Sequence, residues 1–179
     1  MYYKKLIGKK CYLSPIDLKD TEKYTEWLND LEITKYTTLY GKILNTENEK
    51  ASLEKLSKEH NYAIIDLYTN ELIGSCGFMN LDQLNQSAEV GIFIGNKNYW
   101  NKGYGTEALQ VLLDYGFKAL NLHNVMLCVF PFNERAIKSY EKTGFKLIGK
   151  RRGATRRGNE TFDLIFMDIT YDDFYKQAL

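Results

Sequence analysis

The spacing of apolar positions along the chain changes several times, and each change marks an element. Cys11 to Ile16 reads as a short strand. From Asp17 to Tyr36 the residues Leu18, Tyr24, Trp27, Leu28 and Leu31 recur near helical spacing, which predicts a helical region. Thr46 followed by Glu49 forms a capping-box pair that opens a helix running to about Glu59. The period then shortens. Tyr62–Asp66, Leu72–Asn80 and Ala88–Ile94 read as three strands, joined by the turns Tyr68-Thr69-Asn70 and Gln83-Leu84-Asn85-Gln86. Turns this short predict an antiparallel meander, because a parallel pair needs a long crossover.

Helical spacing returns after Gly103, with Ala108, Leu109, Leu112, Tyr115 and Ala119 on one face. His123-Asn124 then leads into a strand, Val125–Phe130, so this strand–helix–strand unit predicts a parallel pair. A second helix starts at Asn133, stacks Ala136, Ile137, Tyr140 and Glu141, and ends at Gly144 as its C-cap. Phe145–Arg151 and Thr161–Thr170 close the chain as a hairpin about the turn Gly153–Gly158. The class is α+β with a mixed, mostly antiparallel sheet and one crossover in the middle. Only two prolines occur and no Ser/Gly-rich linker interrupts the chain, so a single domain over residues 1–179 is expected.

Composition narrows the function classes. A net charge of +1 gives no sign of a dedicated nucleic-acid binder. No apolar run is long enough to span a bilayer, and the N-terminus lacks the apolar centre of a signal peptide. Three dispersed cysteines, Cys11, Cys76 and Cys128, argue for a reducing compartment, so a cytoplasmic location is expected. His60 and His123 have no ligands at metal spacing, so no metal site is expected.

The chemistry lies in Asn98–Phe117, NYWNKGYGTEALQVLLDYGF. Gly103-Tyr104-Gly105-Thr106-Glu107-Ala108 matches G-x-G-x-x-G/A, but the following strand ends Cys128-Val129-Phe130-Pro131, without the carboxylate a dinucleotide site uses for ribose. No Gly-Lys-Ser/Thr follows either, which removes a Walker loop. Two readings stand on these residues alone: a plain tight turn, or N–H groups at a helix start cradling a pyrophosphate, with Lys102 adding charge.

A second motif follows one strand later: Asn133-Glu134-Arg135-Ala136-Ile137-Lys138-Ser139-Tyr140-Glu141-Lys142-Thr143-Gly144-Phe145. The order strand, Y-W-N-K-G-Y-G, helix, strand, N-x-x-A-x-x-x-Y-x-x-x-G-F closely resembles the GNAT superfamily of N-acetyltransferases over about residues 62 to 170. Within it the chain looks nearest the subgroup of ribosomal-protein alanine and spermidine acetyltransferases, whose A-E-x-x-I-x-I and Y-W-x-K-G-Y-G/A-T-E-A segments it matches at Ala88–Ile94 and Tyr99–Ala108. One departure is Trp100, where the superfamily loop commonly begins with Gln or Arg.

The resemblance implies a three-layer fold, its sheet flanked by helices, and acetyl transfer from acetyl-CoA to a primary amine by direct attack in a ternary complex. The pyrophosphate would lie on Trp100, Asn101, Lys102, Gly103, Tyr104, Gly105 and Thr106. The pantetheine arm would pair with backbone at Ile92, Phe93 and Ile94 like an added strand, with a strand N–H facing the thioester oxygen. Asn133 matches the residue that contacts the cofactor arm, and Tyr140 the acid that protonates the departing thiolate. Glu89 is the candidate base, or a contact for a cationic acceptor. A protein N-terminal amine is the favoured acceptor, a polyamine or other small amine the alternative. A CoA-binding module without turnover is a further reading, against which the pairing of Asn133 with Tyr140 stands.

Other groups have plainer expectations. Lys150-Arg151-Arg152 with Arg156-Arg157 reads as a solvated hairpin tip, with a CoA phosphate, RNA or an acidic partner as the functional readings. Cys128 reads as a core thiol and His123 as a turn residue. Glu22, Glu26, Asp30 and Glu32 read as a solvated helix face rather than a polyamine site. A homodimer would use the strand edges or the tail Asp172–Leu179.

Overall fold

The computed structural model describes residues 1–176, so the end of the tail named above, 177–179, lies outside the described residues. Eight strands form one open sheet: β1 (Leu6–Ile7), β2 (Cys11–Pro15), β3 (Asn61–Asp66), β4 (Leu72–Asp82), β5 (Ser87–Ile94), β6 (Asn124–Val129), β7 (Lys146–Arg157) and β8 (Glu160–Thr170). Their order is β1-β2-β3-β4-β5-β6-β8-β7. Strands β2, β3 and β4 pair antiparallel, as the short turns require. The crossover makes β5 and β6 parallel, and β8 then runs antiparallel to both β6 and β7. The helices are α1 (Thr21–Leu28), α2 (Leu31–Thr34), α3 (Thr46–Leu56), α4 (Tyr104–Ala119), α5 (Glu134–Thr143) and α6 (Tyr171–Lys176). The packing gathers into two compact units, Met1–Phe78 with Ile92–Leu112, and Met79–Gly91 with the chain from Leu113 onward.

In the first unit Tyr12, Ile16, Tyr24, Trp27, Ile33, Leu53, Ala63, Ile65 and Leu72 form a buried cluster, with Phe93 and Trp100 packed against it. Each large side chain there contributes about 1.5–3 kcal/mol by leaving water. The helical region over Asp17–Tyr36 is not one helix. It is a 3-10 turn at Leu18–Asp20, then α1, then α2. The break comes at Asn29, whose amide donates to the carbonyls of Thr25 and Leu44 at 2.8 Å and accepts from the Leu44 N–H at 2.9 Å. Asp30 then caps α2 by accepting the Glu32 N–H. The expected capping box also shifts by one residue. Asn45, not Thr46, caps α3 by accepting the Asn48 N–H at 2.8 Å. Asn is as good a cap as Thr and one residue earlier, so Glu49 is left without a capping role. It is 5% exposed instead.

In the second unit β6 alternates, with Val125, Leu127 and Val129 buried on one face. The ladder β6–β8–β7 carries the C-terminal hairpin, which is longer than its sequence suggests. Gly153 does not turn the chain; it sits at φ +60° in a bulge where the register jumps between Arg151 and Thr155. Its N–H goes to Asp163 Oδ1 at 2.9 Å, and the ladder resumes to Arg157↔Glu160. The buried face of α4 also differs from expectation: Ala108, Leu109 and Leu112 are buried as foreseen, but Ala119 is exposed and Leu113 and Phe117 are buried. Phe117 meets Tyr171 and Phe174 of α6 at ring distances of 5.9 and 5.4 Å. That helix had no sequence forecast.

Candidate active site

The loop entering α4 belongs to the first unit, and its side chains mostly turn to the protein. The Trp100 indole donates to the carbonyl of Ile94 at 2.8 Å. The Tyr104 hydroxyl donates to Asp66 Oδ2 at 2.6 Å, and its ring meets Tyr99 edge-on at 4.9 Å. That carboxylate hydrogen bond, followed by burial, raises the Tyr104 phenol far above its ordinary value. Burial opposes ionisation of Asp66, yet the N–H groups of Thr69 and Tyr68 and the Tyr104 hydroxyl hold its carboxyl below the usual range. Glu107 Oε1 accepts the Cys11 N–H at 3.2 Å, tying α4 to β2. Nothing in the sequence pattern marked Glu107 or Asp66 for these tasks.

What remains for a ligand is backbone. The first helical bond of α4 runs from the Glu107 N–H to the Gly103 carbonyl at 3.1 Å, so Tyr104 and Gly105 take no acceptor within the helix. Asn101 at φ 59° and Gly103 at φ 84° hold left-handed conformations on either side of Lys102. Alternating backbone hands of this kind aim successive N–H groups into one concavity, an anion nest at the positive end of a helix. A Cβ on Gly103 would meet only Lys10 Nζ, at 3.5 Å, so glycine is needed there for its φ and not for space. Gly105 differs: a Cβ would lie 3.8 Å from Ile92 and Ile94, an ordinary contact. Lys10 Nζ pins the loop by donating to the Lys102 carbonyl at 2.8 Å. The Lys102 side chain is exposed and has no ion-pair partner among the described residues.

Strand β5 carries the next group of candidates. Its parallel register with β6 covers three pairs and ends at Glu89↔Met126, although β5 continues to Ile94. Beyond Glu89, no β6 residue is registered opposite the strand among the described residues. Of Ile92, Phe93 and Ile94, the carbonyl of Ile94 is engaged by Trp100, which leaves Ile92 and Phe93 as the better positions for an added strand.

The second unit holds the titratable side chains. Asn133 is the N-cap of α5; its Oδ1 accepts the Ala136 N–H at 3.3 Å, and its Nδ2 has no partner among the described residues. Seven residues on, Tyr140 lies on α5 at 8% exposure, edge-on to Phe145 at 5.9 Å. Gly144 closes the helix at φ 105°, as expected. The Tyr140 hydroxyl has no hydrogen-bond partner among the described residues, and burial, with a smaller push from Cys128, raises its phenol to about 12. Glu89 accepts from Asn80 Nδ2 at 3.2 Å and from Cys128 Sγ at 3.7 Å. Burial first and the Glu89 charge second raise the Cys128 thiol, which makes it an inert proton donor rather than a nucleophile. Asn80 and Cys128 as partners of Glu89 were not legible in the sequence, since strand pairing alone brings them together.

Comparison with known proteins decides the family. Residues 10–146 match the Acetyltransferase (GNAT) domain family. An uncharacterized N-acetyltransferase, p20 of Bacillus licheniformis, is 31% identical over 92% of this chain and 94% of its own. The chain belongs to the GNAT acetyltransferase family. This GNAT protein is an N-acetyltransferase, and its crystallographic neighbours agree. A GNAT-family acetyltransferase from Bacillus anthracis superposes with a TM-score of 0.83 at 27% identity, covering 96% of this chain and 99% of that one. Over 58% of this chain and 56% of its own, the putative ribosomal N-acetyltransferase YdaF of Bacillus subtilis is 34% identical.

In this GNAT enzyme two further groups behave differently from each other. Asp30 is paired with Lys97 at 2.7 Å, Glu32 joins the same ammonium, and Glu22 and Glu26 are exposed on α1, a solvated face as expected. On the hairpin, Lys150, Arg151 and Arg152 have no ion-pair partner among the described residues. Arg157 alone turns inward, over Phe130 at 4.7 Å and Phe132 at 5.4 Å. Among the described residues no group of three His, Cys, Asp or Glu could hold a metal ion, and no helix is long and apolar enough to cross a membrane.

Proposed function

We propose that the enzyme transfers the acetyl group of acetyl-CoA directly to the α-amine of a protein N-terminus. The observation that carries this is Tyr140, a buried phenol whose hydroxyl has no hydrogen-bond partner among the described residues and whose proton stays on up to about pH 12. The nest at Asn101–Gly105 would hold the pyrophosphate through backbone N–H groups, with Lys102 beside it. The stretch of β5 past Glu89 would pair with the pantetheine arm, and Asn133 Nδ2 would donate to it.

The acceptor reaches the site as an ammonium ion, and Glu89 takes its proton directly or through water. The free amine attacks the thioester carbon and the carbonyl oxygen gathers charge, which a β5 N–H stabilises. The C–S bond breaks as Tyr140 donates its proton to the sulfur. The extra proton on the adduct's nitrogen passes to the tyrosinate, directly or through water, giving the amide, free CoA thiol and neutral Tyr140. A phenol at about 12 against an ordinary thiol near 8.5 would make that last transfer uphill by roughly 5 kcal/mol. Burial closes this gap, because it raises a departing thiolate as well. Cys11 shows the size of the effect in this chain: burial, then the Glu107 and Asp66 charges, raise its thiol to about 12.

A protein amine is favoured over a polyamine because, of the four acids Glu22, Glu26, Asp30 and Glu32 that a polycation would use, two are already held by Lys97. The likeness to a ribosomal N-acetyltransferase supports the same choice. The test is CoA thiol release over a panel of N-terminal peptides, spermidine, spermine and aminosugars, with Tyr140→Phe beside the wild type. Turnover confined to spermidine and spermine would overturn the acceptor assignment. Tight acetyl-CoA binding without turnover on any amine would favour a binding module.

A further inference from the structure

We infer that the β7–β8 hairpin docks an acidic segment of the acceptor protein, a few residues beyond its acetylated N-terminus; this rests on the protein-amine reading above. Lys150, Arg151 and Arg152 are exposed, and none has an ion-pair partner among the described residues. Arg156 is exposed too, its Nε donating only to the carbonyl of Gly158 at 3.1 Å. Beside them Leu147 and Ile148 are 62% and 57% exposed. A row of unneutralised cations next to apolar side chains fits a partner that is anionic and also carries apolar groups.

The register places this row relative to the chemistry. Val129, Ile165 and Lys150 form one rung across β6, β8 and β7, next to the rung of Cys128, Phe166 and Gly149. Cys128 is the residue whose thiol donates to Glu89. Two strand spacings put Lys150 about 10 Å from Val129, a span that roughly three extended residues cover. Glu89 stands one strand further, registered opposite Met126, so an amine presented there would have its residues from about the fifth or sixth onward beside Lys150, Arg151 and Arg152. Arg157, the last residue of β7 before the turn, lies on Phe130 and Phe132, directly before Asn133, so the tip of the hairpin is anchored beside the loop that starts α5.

Other occupants fit less well. A second copy would set the same cations against each other along β7, whose two register jumps already blunt it as a pairing edge. RNA wants a broad positive field and open aromatic faces. The whole chain carries only +1, and the nearby Phe132 is stacked on Phe130 at 5.0 Å beneath Arg157.

The experiment measures binding and turnover together. Fluorescein-labelled octapeptides beginning with Ala, and carrying Glu, Gln or Lys at positions four to eight, are titrated by anisotropy in low and high salt. Proteins are the wild type, the triple variant Lys150→Glu, Arg151→Glu, Arg152→Glu, and a milder triple change to Gln in case the first fails to fold. The Glu peptide should bind about tenfold more tightly than the Gln peptide, an advantage that shrinks in salt and disappears in both variants. The KM for that peptide should rise while the KM for acetyl-CoA stays unchanged. Equal binding of the Glu and Gln peptides overturns the docking, as does a loss confined to the KM for acetyl-CoA. Tighter binding of a labelled single-stranded RNA, or wild-type dimers that dissociate in the variants, would assign the row to those partners and overturn it too. Charge-dependent peptide binding without acetylation would keep the docking and remove the acceptor reading; acetylation indifferent to acidic residues would do the reverse.

Discussion

The loop Trp100–Thr106 and the helix α5 are both candidates for holding the same cosubstrate, yet they are built in opposite ways. In the loop, Trp100 and Tyr104 bond to Ile94 and Asp66, and a ligand is left with backbone N–H groups shaped by Asn101 and Gly103. On α5 the backbone is closed by Asn133 and Gly144, and what is offered is side chain: the Nδ2 of Asn133 and the hydroxyl of Tyr140. Backbone recognition tolerates changes of residue type but not of conformation. Side-chain chemistry tolerates neither loss of the group nor a change in its burial. On the proposed reading, Trp100 would therefore stand where the superfamily commonly has Gln or Arg without removing the backbone groups offered to the pyrophosphate.

Five substitutions would break or sharpen this contrast. Tyr140→Phe should have the largest effect, lowering kcat about 10²- to 10³-fold with little change in the KM for acetyl-CoA. Because the hydroxyl has no hydrogen-bond partner among the described residues, thermal unfolding should show the variant as stable as the wild type or slightly more so. A large loss of stability would make Tyr140 a structural residue and remove the contrast. Gly103→Ala forces an alanine to φ 84°, at about 1–2 kcal/mol, and should raise the Kd for CoA roughly 5- to 30-fold in calorimetry. Gly105→Ala, with its ordinary 3.8 Å contacts, should leave the fold intact and weaken CoA only through the ligand's own approach.

Glu49→Gln tests whether a side chain in the first unit serves structure alone. Burial raises the Glu49 carboxyl to about 7, above its ordinary value near 4.3, so the folded chain binds a proton that the unfolded chain has released between those pH values. Stability is therefore greatest below about pH 4.3 and falls as pH rises through 7. Removing the charge should stabilise the protein by about 1–2 kcal/mol at pH 8, after allowance for solvent screening, and by almost nothing at pH 4.5. Denaturant unfolding at the two pH values reads this difference, and kcat should not move. The smallest effect is expected from Trp100→Phe, which loses one hydrogen bond to Ile94, about 1 kcal/mol, and should soften the loop without abolishing CoA binding.

The central sheet was legible because its evidence is local. Alternation over Tyr62–Ile94 with two short turns dictates a meander, and one helix between two strands dictates a parallel step. Both appear in the structure at nearly the expected residues. The helical region Asp17–Tyr36 was legible as helical, but its division was not, because the break depends on Asn29 bonding to Leu44, a partner outside the helical window. The hairpin end was misplaced because Gly153 and Gly158 carry the same local signal, and only the pairing of Thr155 with Phe162 tells a bulge from a turn.

For the candidate site the division is the same. By itself the sequence determined the left-handed glycine turn at the start of α4, because glycine at a helix start is a backbone property. It also placed the candidates Asn133 and Tyr140 together on α5, because they stand seven positions apart along one helical pattern. Only the tertiary structure decided that Glu89 meets Asn80 and Cys128, that Trp100 and Tyr104 turn to the protein, and that Lys150, Arg151 and Arg152 have no ion-pair partner among the described residues. Those outcomes depend on which strands pair and in what register, and side chains distant in sequence meet only once that register is set.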